Sequence, residues 1–487
     1  MPAYIDLEEL AGMSEPLWQL AAVDAAKRIA RREMGCLELV ESHLARMDEV
    51  NDDVNAVTVA LHELAREQAR AAGATVAAGE PLGPLHGVPV TIKENVDQAG
   101  QATTNGVRAF ADVIAKTDAP VVANLRRAGA VIIGRTNTPE FSLRWFTDNP
   151  LRGLTRNPWD PGRTPGGSSG GAAAAVAMGI GCVAHGNDLG GSLRYPAYCC
   201  GLATIRPSLG RVPACNPSAS EERPLGTLSM SVQGPIAREV RDVRVALRAM
   251  AAADSRDPWH TPLEHEYSRT SERPRVAACA DPFGNGEVDP AVSGAVHAAA
   301  EALRGAGYEV EEVMAPNFAE MAQAWGRLLA TELHVKMLGT IREHAHDDAR
   351  QVVEGYVEHY TPLDLSGYMH ALADRTRLMR EFNAFLDRFP LAVWPVSLAR
   401  PLPVNHDLGG AQTLRELVGL QAPQYVINYL ALPAAAVPTG VVDGLPAGVQ
   451  IVGPRFREDL CLDAAEAIEG HTGVLTHNLW RRGCAPV

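Results

Sequence analysis

Between Pro165 and Arg194 the chain reads PGGSSGGAAAAVAMGIGCVAHGNDLGGSLR, two glycine-framed serines separated by an alanine-rich run with almost no polar side chains. Such a segment reads as loop, buried helix, strand, loop. A helix from about Gly171 to Gly179 travels roughly 13 Å away from Ser168. A strand over Cys182 to His185, with its flanking residues, covers roughly the same distance back. Ser168 and Ser192 can therefore lie at one end of one layer, and in an open α/β sheet that end is where ligands bind. Upstream, a lone lysine closes the apolar run Val88 to Lys93. Two serines and a lysine are the parts of a histidine-free acyl-transfer site.

The rest of the chain alternates in the way such a layer requires. Residues 16–49 read as amphipathic helices, with Leu37, Leu39, Val40, Leu44 and Met47 at helical spacing, and 52–78 continue as helix. Together they predict a helical N-terminal cap over 1–78, packed on an α/β domain over 79–487. Within that domain, helices over Thr117–Arg127, 235–252, 290–305 and 458–469 alternate with strands ending near Lys93 and over Ala130–Ile133, Val276–Cys279, Tyr308–Val313 and Leu391–Trp394. Asp443-Gly444 marks a hairpin between Ala434–Val437 and Val449–Val452. The predicted fold is α/β, a mixed central sheet covered by helices on both faces, with a largely helical substrate-side insertion at about 316–385. Residues 136–165 form a long irregular segment, and the Pro- and Ser-rich 207–232 reads as a rim over the site.

A net charge of −14 argues against binding a phosphate backbone, so no nucleic-acid partner is expected. No stretch reaches the roughly 18 apolar residues that would span a membrane. The first residues lack a basic region followed by an apolar one, so no signal peptide is expected. Eight cysteines show no zinc-like pairing, and reduced thiols fit a cytoplasmic protein. A monomer or homodimer without metal or cofactor is expected.

Several blocks together resemble the amidase signature family, hydrolases with a Ser-Ser-Lys triad. They are Gly87–Asn95, Gly166–Gly171, Asp188–Arg194, Arg206–Arg211, Gly234–Arg238 and Gly444–Gly453, in matching order and spacing over about residues 20 to 470. The resemblance implies cleavage of a C–N amide-type bond, in an amide or a carbamate. It assigns Ser192 as nucleophile, Ser168 as proton relay and Lys93 as base, with Gly167–Ser168 a cis peptide. A neutral lysine is needed for that role, and burial behind an apolar run would lower its pKa. The amides of Leu189, Gly190, Gly191 and Ser192 can converge on an oxyanion. Asp188 and Arg194 flank the nucleophile as an orienting ion pair. Asn187 stands where many members have threonine, and Ser169 adjoins the relay.

Trp145, Phe146, Tyr195, Tyr198 and Trp325 are candidates for an apolar pocket. They suit a small or medium amide, with an aryl amide or N-aryl carbamate favoured slightly. Other readings remain open. The family includes an amidotransferase subunit that works on charged tRNA. Gly167–Gly171 also fits the Gly-x-Ser-x-Gly elbow of an α/β-hydrolase esterase, with Ser169 as nucleophile, but Asn157–Pro165 before it cannot be the central strand that elbow needs. A phosphate-binding loop is disfavoured because no Gly-Lys-Ser/Thr ending follows.

Overall fold

A computed structural model describes residues 16–263 and 273–481. Met1–Gly12 and Cys484 lie outside the described residues. Eleven strands form one mixed sheet: β1 Val57–Ala60, β2 Pro89–Lys93, β3 Val131–Thr136, β4 Val183–Asp188, β5 Ala203–Arg206, β6 Val232–Ala237, β7 Val276–Ala278, β8 Val310–Glu312, β9 Leu391–Pro395, β10 Ala434–Val442 and β11 Leu445–Val452. Their order is β1-β3-β2-β4-β6-β5-β10-β11-β9-β7-β8. The β3-β2-β4 and β9-β7-β8 groups are parallel, and the strands between them pair antiparallel.

Alternating side chains feed two cores, as period-two strands must. Along β9, Leu391 and Val393 join a core roofed by helices that include Pro120–Arg127, Val240–Met250, Pro290–Gly305 and Glu458–Thr472. Ala392 and Trp394 join the other core, roofed by the helical insertion. That insertion consists of Phe318–Glu332, a five-residue π segment at Leu333–Met337, Leu338–His344, Asp347–Tyr360 and Leu365–Arg388. Ala411–Leu430 adds a long helix that the sequence pattern did not announce. At the hairpin, Asp443 and Gly444 both adopt positive φ (49° and 81°), the mirror-image turn that matches strand twist.

Two local expectations are corrected. Residues 57–60 are not helix but edge strand β1, antiparallel to β3. Val57 and Val59 are β-branched, and the short strand gains its stability by pairing. Residues 232–237 are strand β6, so the helix expected over 235–252 begins only at Val240. Pro235 is tolerated in that strand because the β5 ladder stops at Ile236, and Thr204 Oγ1 donates to the Pro235 carbonyl at 2.7 Å. The polar 207–232 segment contains a short helix, Leu225–Met230, and Glu332 accepts from the Gly226 and Thr227 amides at 2.7 and 2.6 Å.

Candidate active site

Strands β2 and β4 are parallel neighbours, and each ends on a residue singled out in the sequence, Lys93 and Asp188. Between them in the chain, the helix Gly170–Ala177 starts directly after Ser168-Ser169, and all eight of its residues are buried. Glycine is required at its start: a Cβ on Gly171 would fall 2.4 Å from the Asn137 amide nitrogen. The Gly167–Ser168 peptide is cis.

Lys93 is fully buried. Its Nζ lies 2.8 Å from Ser168 Oγ, 3.1 Å from Ser169 Oγ and 2.8 Å from Asn187 Oδ1. Burial pushes its pKa well below the ordinary lysine value; Asp188 opposes the shift and Arg223 adds to it. A neutral amine has two hydrogens and one lone pair. Asn187 Oδ1 can only accept, and its amide is held in that sense because Nδ2 donates to Asn95 Oδ1 at 2.9 Å, while Asn95 Nδ2 donates to Ser142 Oγ at 3.0 Å. Ser169 Oγ donates to the Asn187 carbonyl at 3.4 Å, so it too meets Lys93 as an acceptor. The lone pair is thereby left facing Ser168, whose hydroxyl can donate to it.

The loop after Asp188 is held from both sides. Asp188 Oδ1 accepts from the Gly191 amide at 2.8 Å, and Oδ2 accepts from the Leu193 amide at 3.2 Å. The Trp145 indole N–H donates to the Gly190 carbonyl at 2.8 Å, and that of Trp325 donates to the Leu189 carbonyl at 3.2 Å. Among the described residues no acceptor takes the amides of Leu189, Gly190 or Ser192. The predicted oxyanion donors therefore need one correction: the Gly191 N–H is committed to Asp188. Gly191 serves differently, through its φ of +100°, and a Cβ there would fall 1.8 Å from Gln424 Oε1.

Asp188 and Arg194 form a fully buried, two-pronged ion pair at 3.0 and 3.1 Å. Burial alone would raise the Asp188 pKa, but Arg194, Arg206 and the Asn428 amide outweigh it and hold the carboxyl well below the usual carboxylate range. Arg194 also donates to Gln450 Oε1 at 2.6 Å and Asn428 Oδ1 at 2.7 Å. Asn428 returns a bond to Asp188 Oδ1 at 2.8 Å.

Ser192 lies in the wall of a cavity, with Leu189, Gly190, Trp145 and Trp325 beside it. Tyr356, Tyr360, Leu329, Leu333 and Val418 complete its apolar side. Tyr425 backs the aromatic wall, stacked on Trp325 with ring centres 4.3 Å apart. Of the predicted pocket aromatics, Trp145 and Trp325 line this cavity; Phe146, Tyr195 and Tyr198 do not. Phe146 is buried in the core, and Tyr195 and Tyr198 stack on each other, with Tyr198 Oη donating to the Ala399 carbonyl. Burial around the Arg194–Cys200 helix is complete, so its tyrosines pack rather than line. Ser169 is also fully buried and lies outside the cavity wall, and no strand precedes it after β3 ends at Thr136. That removes the esterase elbow.

Sequence reading missed Asn428, Gln450, Tyr356, Tyr360 and Tyr425. Gln450 stands inside the quoted Gly444–Gly453 block, and Tyr356 and Tyr360 are one helical turn apart, but nothing local aims either feature at the site. Among the described residues no cluster of His, Cys, Asp and Glu is arranged to hold a metal ion, and no helix is long and apolar enough to cross a membrane.

The family model described as Amidase matches residues 38–462. An indoleacetamide hydrolase of Bradyrhizobium diazoefficiens is 46% identical over 467 residues, covering 96% of this chain and 89% of that protein. A subunit of the glutamyl-tRNA(Gln) amidotransferase of Moorella thermoacetica is 32% identical, covering 94% of this chain and 97% of that protein. The crystal structure of a bacterial aryl acylamidase of the amidase signature family superposes with a TM-score of 0.83 at 28% identity, covering 97% of this chain and 100% of that one. With such matches along nearly its whole length, the chain belongs to the amidase signature family, hydrolases of C–N amide bonds.

Proposed function

We propose that this amidase hydrolyses an arylacetamide, a primary amide whose aromatic ring sits on the acyl side, with Ser192 as nucleophile, Ser168 as relay and Lys93 as base. The observation that carries the reading is the aromatic cavity walled by Trp145, Trp325, Tyr356 and Tyr360 beside Ser192. It suits a flat ring, and the 46% identical indoleacetamide hydrolase supports the same substrate class.

Neutral Lys93 takes the Ser168 proton while Ser168 takes that of Ser192, and Ser192 Oγ bonds to the amide carbon. The amides of Leu189, Gly190 and Ser192 receive the negative oxygen. The proton returns through Ser168 to the amine, the C–N bond breaks and ammonia leaves. Water then repeats the sequence on the acyl-enzyme, releasing the arylacetate and restoring Ser192. No cofactor enters this scheme.

The test is ammonia release from indole-3-acetamide against aromatic amine release from acetanilide and ethyl N-phenylcarbamate. The primary arylacetamide is expected to give a kcat/KM at least about 100-fold above either of the others. Cleavage confined to the anilide or the carbamate would put the ring on the amine side and overturn the reading. Gly191→Ala is expected to lower kcat about 100-fold or more, because the new Cβ meets Gln424 and displaces the oxyanion loop. Steady-state rates and a thermal unfolding scan of the folded variant check this.

A further inference from the structure

We propose that Tyr356 reads the aromatic ring of the substrate, its hydroxyl oxygen accepting a hydrogen bond from a ring N–H at the edge away from the carboxamide. The proposal deepens the arylacetamide reading and rests on it.

Tyr356 sits on the helix Asp347–Tyr360, which roofs the cavity. Its side chain meets Trp145 edge-on at 5.8 Å and is more than nine-tenths buried. Several buried side-chain atoms have no hydrogen-bond partner among the described residues, and Tyr356 Oη is the one that belongs to a residue of this cavity's wall. A buried hydroxyl without a partner is costly, and a site that carries one has a use for it.

The neighbouring charges do not claim that hydroxyl. Arg144 and Asp407 are the nearest to it in electrostatic effect, but they are spent on each other. Arg144 donates twice to Asp407, at 2.7 and 2.8 Å, and again to Asn405 Oδ1 at 3.0 Å. Burial pushes the Tyr356 hydroxyl well above its ordinary pKa, so it stays neutral. The next tyrosine along the helix, Tyr360, instead donates to Tyr425 Oη at 3.5 Å. The cavity thus has flat apolar walls, a carboxamide end at Ser192 and, on one of its wall residues, a buried hydroxyl without a partner among the described residues. A ring with a polar edge uses all three, whereas an all-carbon ring leaves the hydroxyl unpaired.

The experiment compares kcat/KM for indole-3-acetamide and 1-benzothiophene-3-acetamide, which keeps the shape but replaces the N–H with sulfur. Wild type is expected to prefer the indole by about tenfold or more. Tyr356→Phe is expected to bring the ratio near one by slowing the indole substrate about tenfold more than the benzothiophene one. A wild-type ratio near one, a ratio unchanged in Tyr356→Phe, or an equal fall in both rates would each overturn the proposal. If both amides are cleaved equally well, the arylacetamide reading stands and only the role of Tyr356 falls. If neither is cleaved, both fall together.

Discussion

Ser192→Ala is expected to lower kcat by about 10⁴-fold or more, and Lys93→Ala to come within about tenfold of the same loss, because the proposed nucleophile and base would act as one unit. Lys93→Arg is expected to be equally inactive, since a guanidinium cannot give up a proton to become a base. Both sites lie in well-packed surroundings, so circular dichroism must show that each variant folds before its rate is compared. Near-wild-type turnover by Ser192→Ala would remove it as nucleophile. Near-wild-type turnover by Lys93→Ala would move the base elsewhere.

The same lysine predicts two pH effects. Activity falls as pH drops through its depressed folded pKa, because protonation fills the lone pair that faces Ser168. The rate then loses about tenfold per pH unit at the acid limit, for a single essential base. Stability follows the linkage sign. The unfolded chain takes up a proton on this lysine below about pH 10.4, while the folded chain does so only at lower pH. Between those two values the unfolded state holds more protons, so stability rises with pH by up to about 1.4 kcal/mol per unit from this group. Lys93→Met lacks that contribution. Denaturant midpoints of the two proteins across pH should therefore diverge, with wild type gaining on the variant as pH rises.

What was legible in the sequence follows from where the determining interactions lie. The stretch from Ser168 to Ser192 is local: small residues force a buried helix, glycines frame the loops, and a strand brings the chain back. Lys93 stands at the end of a short, largely apolar strand, where a lysine usually reaches out to solvent, and only its place in the Gly87–Asn95 block marked it as the base. The two indoles that pin the Leu189–Gly190 carbonyls were named only as wall residues, since a hydrogen bond between Trp145 and Gly190 spans 45 positions. Tyr195 and Tyr198 misled because closeness in sequence to Ser192 is not closeness to its cavity: the intervening turn directs their helix into the core. β1 was missed because its β-branched run, Val57–Val59, is short and sits between helical patterns, and β6 because it carries no clear strand pattern; each depends on its partner, β3 and β4 respectively. Asn428 and Gln450 lie more than 230 positions from the ion pair they complete, beyond any periodicity.

Arg194→Ala is expected to cost about 3–5 kcal/mol of stability and to lower kcat of the folded fraction by about 100-fold or more. The substitution leaves the Asp188 carboxylate buried with its principal counter-charge gone, and both partners have no exposed side-chain surface. It also strips donors from Asn428 and Gln450, the side chains that tie the loop to the Ala411–Leu430 helix and to β11. Arg206 also acts on Asp188, but its Nη1 and Nη2 groups are spent on the carbonyls of Pro207, Leu432 and Met230, which leaves only its Nε–H without a partner among the described residues. Asp188→Asn with Arg194→Met separates the two effects. Removing both charges relieves the unpaired carboxylate and restores part of the stability, but the Gly191 and Leu193 amides still lose the charged acceptor that holds the Leu189–Leu193 loop. Recovered stability with persistent loss of kcat is the expected result of denaturation and rate measurements on the double variant. Recovery of both would mean that the pair acts on the fold alone, without shaping the loop that carries Ser192.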